Sequence, residues 1–161
     1  MNLRIAMGYD IHRLVAGRPL HLGGVEIPYE KGLLGHSDGD AAAHALADAL
    51  LGAARLGDLG MHFPDDDPTW KGVSGVDLLE RTRELLEPRG MEVVQADLTI
   101  LAEAPRLAPY RDAMRAALSG ALRCDPDAIS IKSRTNEGLG AIGRGEAIAV
   151  YAVVLVRRRE T

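Results

Sequence analysis

Leu3-Arg4-Ile5-Ala6-Met7-Gly8-Tyr9-Asp10-Ile11-His12 alternates large apolar residues with others along its length, which is the period of a β-strand. Successive strand side chains point to opposite faces, so Leu3, Ile5, Met7 and Tyr9 share one face and Asp10 and His12 share the other. A carboxylate and an imidazole are thereby neighbours. Further along, His36-Ser37-Asp38-Gly39-Asp40-Ala41-Ala42-Ala43-His44 carries a Ser/Asp/Gly cluster of the kind that starts a helix, and a loop-to-helix junction there could bring a second imidazole to the same point. Asp10, His12 and His44 offer either the donor set of an open, zinc-type site, with room for a fourth ligand, or a strand-end Asp capping a turn beside two half-buried histidines.

Working outward, residues 40–56 are rich in Ala and Leu and are predicted to form a helix stopped by Gly57. At a spacing of four, Asp40, His44 and Asp48 share one face of that helix, a polar stripe on an otherwise apolar element. Between strand and helix, Gly17 and Pro19 mark a turn, residues 20–27 read as a hairpin broken at Gly23-Gly24, and Tyr29-Glu30-Lys31-Gly32 reads as a turn. Residues 58–68 form a long acidic loop with two prolines, a kind of segment that is usually functional or mobile. Ser74 is a suitable N-cap for a helix through Glu87. Residues 91–101 and 129–133 read as strands, with a helix over residues 110–122 between them that tolerates Pro109 in its first turn. Residues 136–145 are a glycine-rich loop, and residues 147–156 are an apolar strand. The order β-β-α-α-β-α-β-β predicts an α/β (α+β) sandwich, one domain over residues 1–161, with helices on one face of a mixed four-to-five-stranded sheet.

A net charge of −4 and a single Phe and single Trp argue against a nucleic-acid surface, which shows as basic excess and stacking aromatics. No apolar run approaches the length of a membrane span. The chain runs straight into its first strand without a charged leader, so a cytoplasmic protein is expected. Cys124 is the only cysteine; it has no internal disulfide partner and no neighbouring base.

Lys132-Ser133-Arg134-Thr135-Asn136-Glu137-Gly138-Leu139-Gly140-Ala141-Ile142-Gly143-Arg144-Gly145 combines hydroxyls, arginines and backbone free to approach a ligand closely. It is either a phosphate-wrapping loop or a plain hairpin loop; no Gly-Lys-Ser/Thr of a Walker A motif occurs in it. Gly35-His36-Ser37-Asp38-Gly39 matches the Gly-x-Ser-x-Gly of a hydrolase elbow. That elbow needs a buried strand running into it and a downstream acid and then a His, whereas His62 is the last histidine of the chain. His36 lies off the helix face, as a solvent-facing or a substrate-contacting residue. Asp65-Asp66-Asp67 reads as a solvated charge run or a divalent-ion contact.

With these residues in place, the chain resembles the 2-C-methyl-D-erythritol 2,4-cyclodiphosphate synthases of the non-mevalonate isoprenoid pathway. The resemblance rests on Gly8-Tyr9-Asp10-Ile11-His12, Gly32-Leu33-Leu34-Gly35-His36-Ser37-Asp38-Gly39-Asp40, Ala49-Leu50-Leu51-Gly52-Ala53, Gly57-Asp58-Leu59-Gly60 with Phe63-Pro64-Asp65, Ala104-Pro105, and Gly143-Arg144-Gly145-Glu146. It implies a homotrimer with active sites at subunit interfaces and a phosphorus-oxygen lyase reaction. In that reaction the 2-phosphate of 4-diphosphocytidyl-2-C-methyl-D-erythritol 2-phosphate attacks the β-phosphorus, and CMP leaves.

The resemblance further implies zinc, or another divalent transition metal, at Asp10, His12 and His44, and magnesium or manganese bridging the substrate phosphates with help from Glu137. His36 and Thr135 match the catalytic positions. Asp10 and His12, His36 with Ser37, Asp58, Leu59 and Gly60, and Phe63, Pro64, Asp65, Asp66 and Asp67 would line the methylerythritol and ribose side of the pocket. Ala102, Glu103, Ala104, Pro105, Arg106, Leu107 and Ala108, with Ser133, Arg134 and Thr135, would receive the cytidine and its phosphates from the neighbouring subunit. Arg144 matches a further substrate contact. Four residues depart from the pattern: Arg106 replaces a frequent lysine, Ser133-Arg134 a pair of smaller residues, and Ala141 an aromatic that often faces the trimer axis.

Overall fold

The computed structural model describes residues 2–159. Strand β1 (Leu3–Ala16) outruns the ten residues expected of it and pairs antiparallel with β7 (Ala147–Arg158), from Leu3↔Arg157 to Arg13↔Ala147. β7 pairs antiparallel with β5 (Met91–Leu101), and β5 pairs parallel with β6 (Ile129–Arg134). The end of β1 holds β4 (Lys31–Leu33), giving a mixed five-stranded sheet of order β4-β1-β7-β5-β6. β2 (Leu20–Leu22) and β3 (Val25–Ile27) form the expected hairpin as a separate two-stranded sheet. The segment read as a turn at residues 29–32 is thus partly strand. A Cβ on Gly32 would sit 2.1 Å from the carbonyl oxygen of Pro19, so only glycine lets the chain pass there.

Helix α1 (Ala41–Ala53) lies across β1 and β7, and α3 (Gly75–Leu86) and α4 (Arg111–Leu122) complete the layer on the same face. The core forms between them: Leu46, Leu50, Leu79, Leu98, Ile100, Val150 and Val154 are fully buried. The alanines of α1 allow an unusually close approach to the sheet. A Cβ on Gly8 would lie 2.0 Å from the Ala45 carbonyl oxygen and 2.7 Å from the Ala49 nitrogen, so helix and strand backbones touch at Gly8. That contact fixes the site, because His44 precedes Ala45 and Asp10 lies two residues beyond Gly8, on the same face of β1.

The polar stripe on α1 is accounted for residue by residue. Asp40 is fully buried as the N-cap. Its Oδ1 accepts from the backbone N–H groups of Ala42, Ala43 and Gly23, and its Oδ2 accepts from Gly24, so one carboxylate ties the hairpin to the helix start. Asp48 accepts from the Leu59 N–H (3.0 Å) and anchors the short helix α2 (Leu59–His62). His44 is left for the site.

The structure corrects several boundaries. α1 ends before Gly57: Arg55 takes the left-handed position (φ 58°), and Leu56 N–H closes on Leu51 O while Arg55 N–H closes on Gly52 O, the paired bonds of a Schellman stop. The acidic loop contains α2 and a 3₁₀ turn at Pro68–Trp70, and the glycine-rich loop contains a helical turn, α5 (Gly140–Gly143). Which face of β1 is buried is the larger surprise. Its large apolar face points away from the helices, with Ile5 73% and Met7 61% exposed, while Ala6 and Gly8 meet α1. Tyr151 and Val153 of β7 extend that exposed apolar face.

Candidate active site

Asp10, His12 and His44 converge. Asp10 Oδ2 lies 2.9 Å from His12 Nε2 and 3.1 Å from His44 Nδ1, and the two ring nitrogens are 3.4 Å apart. An ion bonded at about 2.0–2.1 Å needs ligand separations of roughly 2.9 Å in an octahedral face and roughly 3.3 Å in a tetrahedral one; the three observed separations span that range. The outer ring nitrogens are engaged as well. His12 Nδ1 faces the Leu34 carbonyl oxygen at 2.6 Å, and His44 Nε2 faces Ser37 Oγ at 3.1 Å. With acceptors available on the outside, each ring can exchange its inward hydrogen bond to Asp10 for a bond to a cation, so these residues fit a bound divalent cation.

The electrostatics agree. Burial alone raises the Asp10 carboxyl, but hydrogen bonds and charge from His12 and His44 outweigh it and hold its pKa at about 2. Burial alone favours neutral His12, but the hydrogen bond and charge of Asp10, the Leu34 carbonyl and the charge of Asp65 raise its pKa above the ordinary value. A carboxylate anion therefore faces the centre at any working pH.

The three residues open into a cleft of about 490 Å³ that is also lined by His36, Ser37, Leu59, Gly60, Phe63, Pro64 and Asp65. Four lining residues were missed in the sequence: Leu34, Gly35, Trp70 and Leu78. Trp70, the only tryptophan, meets Phe63 edge-on, with centroids 4.9 Å apart, and that singularity was the available signal. His36 Nε2 is buried in the cleft wall without a partner. Three expected residues lie outside the lining: Asp58 caps α2 through Met61 N–H, Asp67 caps the following turn through Thr69 N–H, and Asp66 is exposed.

The second group of expected residues lies elsewhere. Asp10 pairs with Val150, Val150 with Ile100, and Ile100 with Ser133, so Ser133 sits level with Asp10 but three strand spacings away, about 14 Å. Here Ala102 N–H donates to Arg134 O, and Glu103 accepts from Asn136 N–H, stitching the two segments together. The side chains of Ala102 and Leu107 join the core, while Arg106, Ala108, Arg134, Thr135 and Glu137 are exposed, and Glu103, Ala104, Pro105 and Ser133 are half-buried. Thr135 Oγ1 donates to Glu137 at 3.3 Å, and Arg144 grips Glu146 through two bonds. A larger depression of about 670 Å³ lies at the far end of the sheet, but most of its charged groups pair among themselves, Arg83 with Glu87 and Arg157 and Arg159 with Glu92.

Residues 3–157 match the YgbB family. A 2-C-methyl-D-erythritol 2,4-cyclodiphosphate synthase of Pelotomaculum thermopropionicum is 52% identical over 156 residues, covering 97% of this chain and 96% of the relative. This chain belongs to the YgbB family. Among solved structures, a 2-C-methyl-D-erythritol 2,4-cyclodiphosphate synthase in its CDP-bound form superposes with a TM-score of 0.87 at 46% identity, over 95% of this chain and 99% of that one. The bifunctional IspDF of Campylobacter jejuni superposes with a TM-score of 0.94 at 37% identity; it covers 98% of this chain, which spans only 43% of that longer protein. YgbB membership agrees with the resemblance carried by the sequence blocks, and the convergence of Asp10, His12 and His44 gives it a physical centre.

Proposed function

We propose that this chain is a 2-C-methyl-D-erythritol 2,4-cyclodiphosphate synthase, working as one domain in the cytoplasm. The carrying observation is the centre at Asp10, His12 and His44, with both outer imidazole nitrogens held by acceptors. The substrate is 4-diphosphocytidyl-2-C-methyl-D-erythritol 2-phosphate. An oxygen of its 2-phosphate bonds to the β-phosphorus, the bond from that phosphorus to the α–β bridging oxygen breaks, and CMP leaves with that oxygen. The attacking phosphate is already anionic, so the protein needs no general base and contributes mainly position and charge.

Asp10, His12 and His44 hold zinc or a similar divalent ion, which when bound supplies Lewis acidity toward a phosphoryl oxygen. His36, with its unpartnered Nε2 in the cleft wall, positions the reacting phosphates. Ser37, Leu59, Gly60, Phe63, Pro64 and Asp65 enclose the methylerythritol portion. Thr135 and Glu137 serve the diphosphate, Glu137 being the residue that would help hold a magnesium or manganese ion there, while the 102–108 segment with Ser133 and Arg134 receives the cytidine. The separation of these residues from the metal centre within one chain supports active sites shared between subunits of a homotrimer. The exposed apolar face of β1 and β7 supports the same assembly, since a contiguous patch of this kind normally marks an interface. Among the described residues no helix is long and apolar enough to cross a membrane.

Purified protein given this substrate, zinc and magnesium is expected to release CMP and the cyclic diphosphate in equal amounts, and His44→Ala to abolish turnover. Full activity after exhaustive zinc removal would overturn the metal assignment. Oxygen from labelled water in the organic product would replace the cyclase with a phosphohydrolase.

A further inference from the structure

The two imidazoles of the centre are held from behind by different kinds of partner. His44 is 5% exposed, so the proton on its outer nitrogen needs a partner inside the protein. That partner is a side chain, Ser37 Oγ, at 3.1 Å. For His12 the equivalent partner is main chain, the Leu34 carbonyl.

Ser37 is held firmly. Its carbonyl accepts from the Arg18 guanidinium at 3.2 Å, and its Oγ accepts from the Gly39 N–H at 3.2 Å. On either side, Gly72 N–H closes on His36 O and Asp38 N–H on Val73 O. A serine hydroxyl has two acceptor lone pairs and one donor. Gly39 N–H occupies one lone pair; the other is placed to accept His44 Nε2–H, in which case the Ser37 O–H is free to donate into the cleft.

We propose that Ser37 is a positioning residue that keeps the proton of His44 on Nε2 and so presents the Nδ1 lone pair to the metal. The proposal rests on the metal reading given above. Ser37, His44 and Asp10 also reproduce the hydrogen-bond order of a serine-hydrolase triad, since His44 Nδ1 faces Asp10 at 3.1 Å. In that order the Ser37 proton would go to His44 and Ser37 would be a nucleophile. The loop does not support it: Gly39 N–H is spent on Ser37 Oγ itself and Asp38 N–H on Val73 O. Neither neighbouring amide is free to stabilise an oxyanion.

The test measures zinc affinity by chelator competition without substrate, together with the ¹⁵N shifts of the His44 ring in metal-free protein. Outer partners of ligating histidines are typically worth about 10–100-fold in metal affinity, so Ser37→Ala should lose that much and shift the His44 proton off Nε2. Ser37→Thr, which keeps the hydroxyl, should restore both readouts; thermal melts of the two variants report folding separately. Wild-type affinity in Ser37→Ala with an unchanged tautomer would overturn the proposal while leaving the metal reading intact. A wild-type protein that binds no zinc would overturn the metal reading and this proposal with it. Labelling of Ser37 by a fluorophosphonate in metal-free protein would overturn the positioning role in favour of the nucleophile.

Discussion

The two regions assigned to the reaction lie level on one sheet yet are built differently. At β1 and α1 the Asp10, His12 and His44 corner, which is able to hold a metal, is assembled within one chain: Gly8 sets the helix height, Asp40 fixes the helix start, and Leu34 and Ser37 contact the rings from behind. At β5 and β6 the backbone is stitched as firmly, but Thr135 and Glu137 are exposed and bond mainly to each other. The first region is preorganised before any ligand arrives. The second presents exposed groups that bond to each other within the chain, which supports the site shared between chains proposed above.

The largest expected effect tests that division directly. Asp10→Asn should remove zinc binding and lower turnover by about 1000-fold or more, and Thr135→Ala should lower turnover by about 100–1000-fold, in the range of lost transition-state contacts. Neither variant is expected to work alone. Co-expressed in equal amounts, they should recover about one quarter of wild-type activity, because random assembly of a ring pairs an intact corner from one chain with an intact segment from the next in that share of sites. Mixed assemblies that stay inactive would break the comparison and place each site within a single chain.

A smaller effect separates the two metals. Glu137→Gln should lower turnover by about 10–100-fold and raise the magnesium or manganese concentration needed for half-maximal rate, while zinc affinity in the absence of substrate stays at the wild-type value. A fall in zinc affinity with Glu137→Gln would mean that the two regions share one ion.

The same contrast explains what was legible in the sequence. Asp10 and His12 on one strand face, and His44 at a helix start, follow from periods of two and 3.6, which are local properties. The alternation could not say which face of β1 is buried, because an oligomer interface and a core carry the same apolar pattern; only the fit of α1 on Gly8 decides it. The stop of α1 at Arg55 was hidden because glycine is the usual left-handed residue and Gly57 stood nearby. The role of Asp40 and the link from Ser37 to His44 depend on where the 20–27 hairpin and the 35–39 loop fold back. Such tertiary contacts have no period and leave no mark in a single sequence.

The smallest effect is one of pH, and it should centre on the Asp10, His12 and His44 corner. In metal-free protein Asp10 titrates at about 2 rather than at its ordinary 3.8, so its contribution to stability is present above that ordinary value and is lost as pH falls toward about 2. His12 has the opposite sign: its pKa is raised, so its contribution is complete below its ordinary 6.5 and is lost as pH rises through the raised value. The pair therefore supports the metal-free fold most fully between about pH 4 and about pH 6.5. Metal binding needs His12 neutral and competes with its proton. Zinc affinity should fall by about tenfold for each unit below the raised pKa of His12, so the protein exchanges a proton for the metal as pH rises. Arg144 and Glu146 also shift each other, lowering the acid and raising the base, but both are exposed, so salt should weaken that pair. Chelator competition across neutral pH, repeated at low and high salt, separates the two regions. A zinc affinity that is flat with pH would remove His12 from the centre.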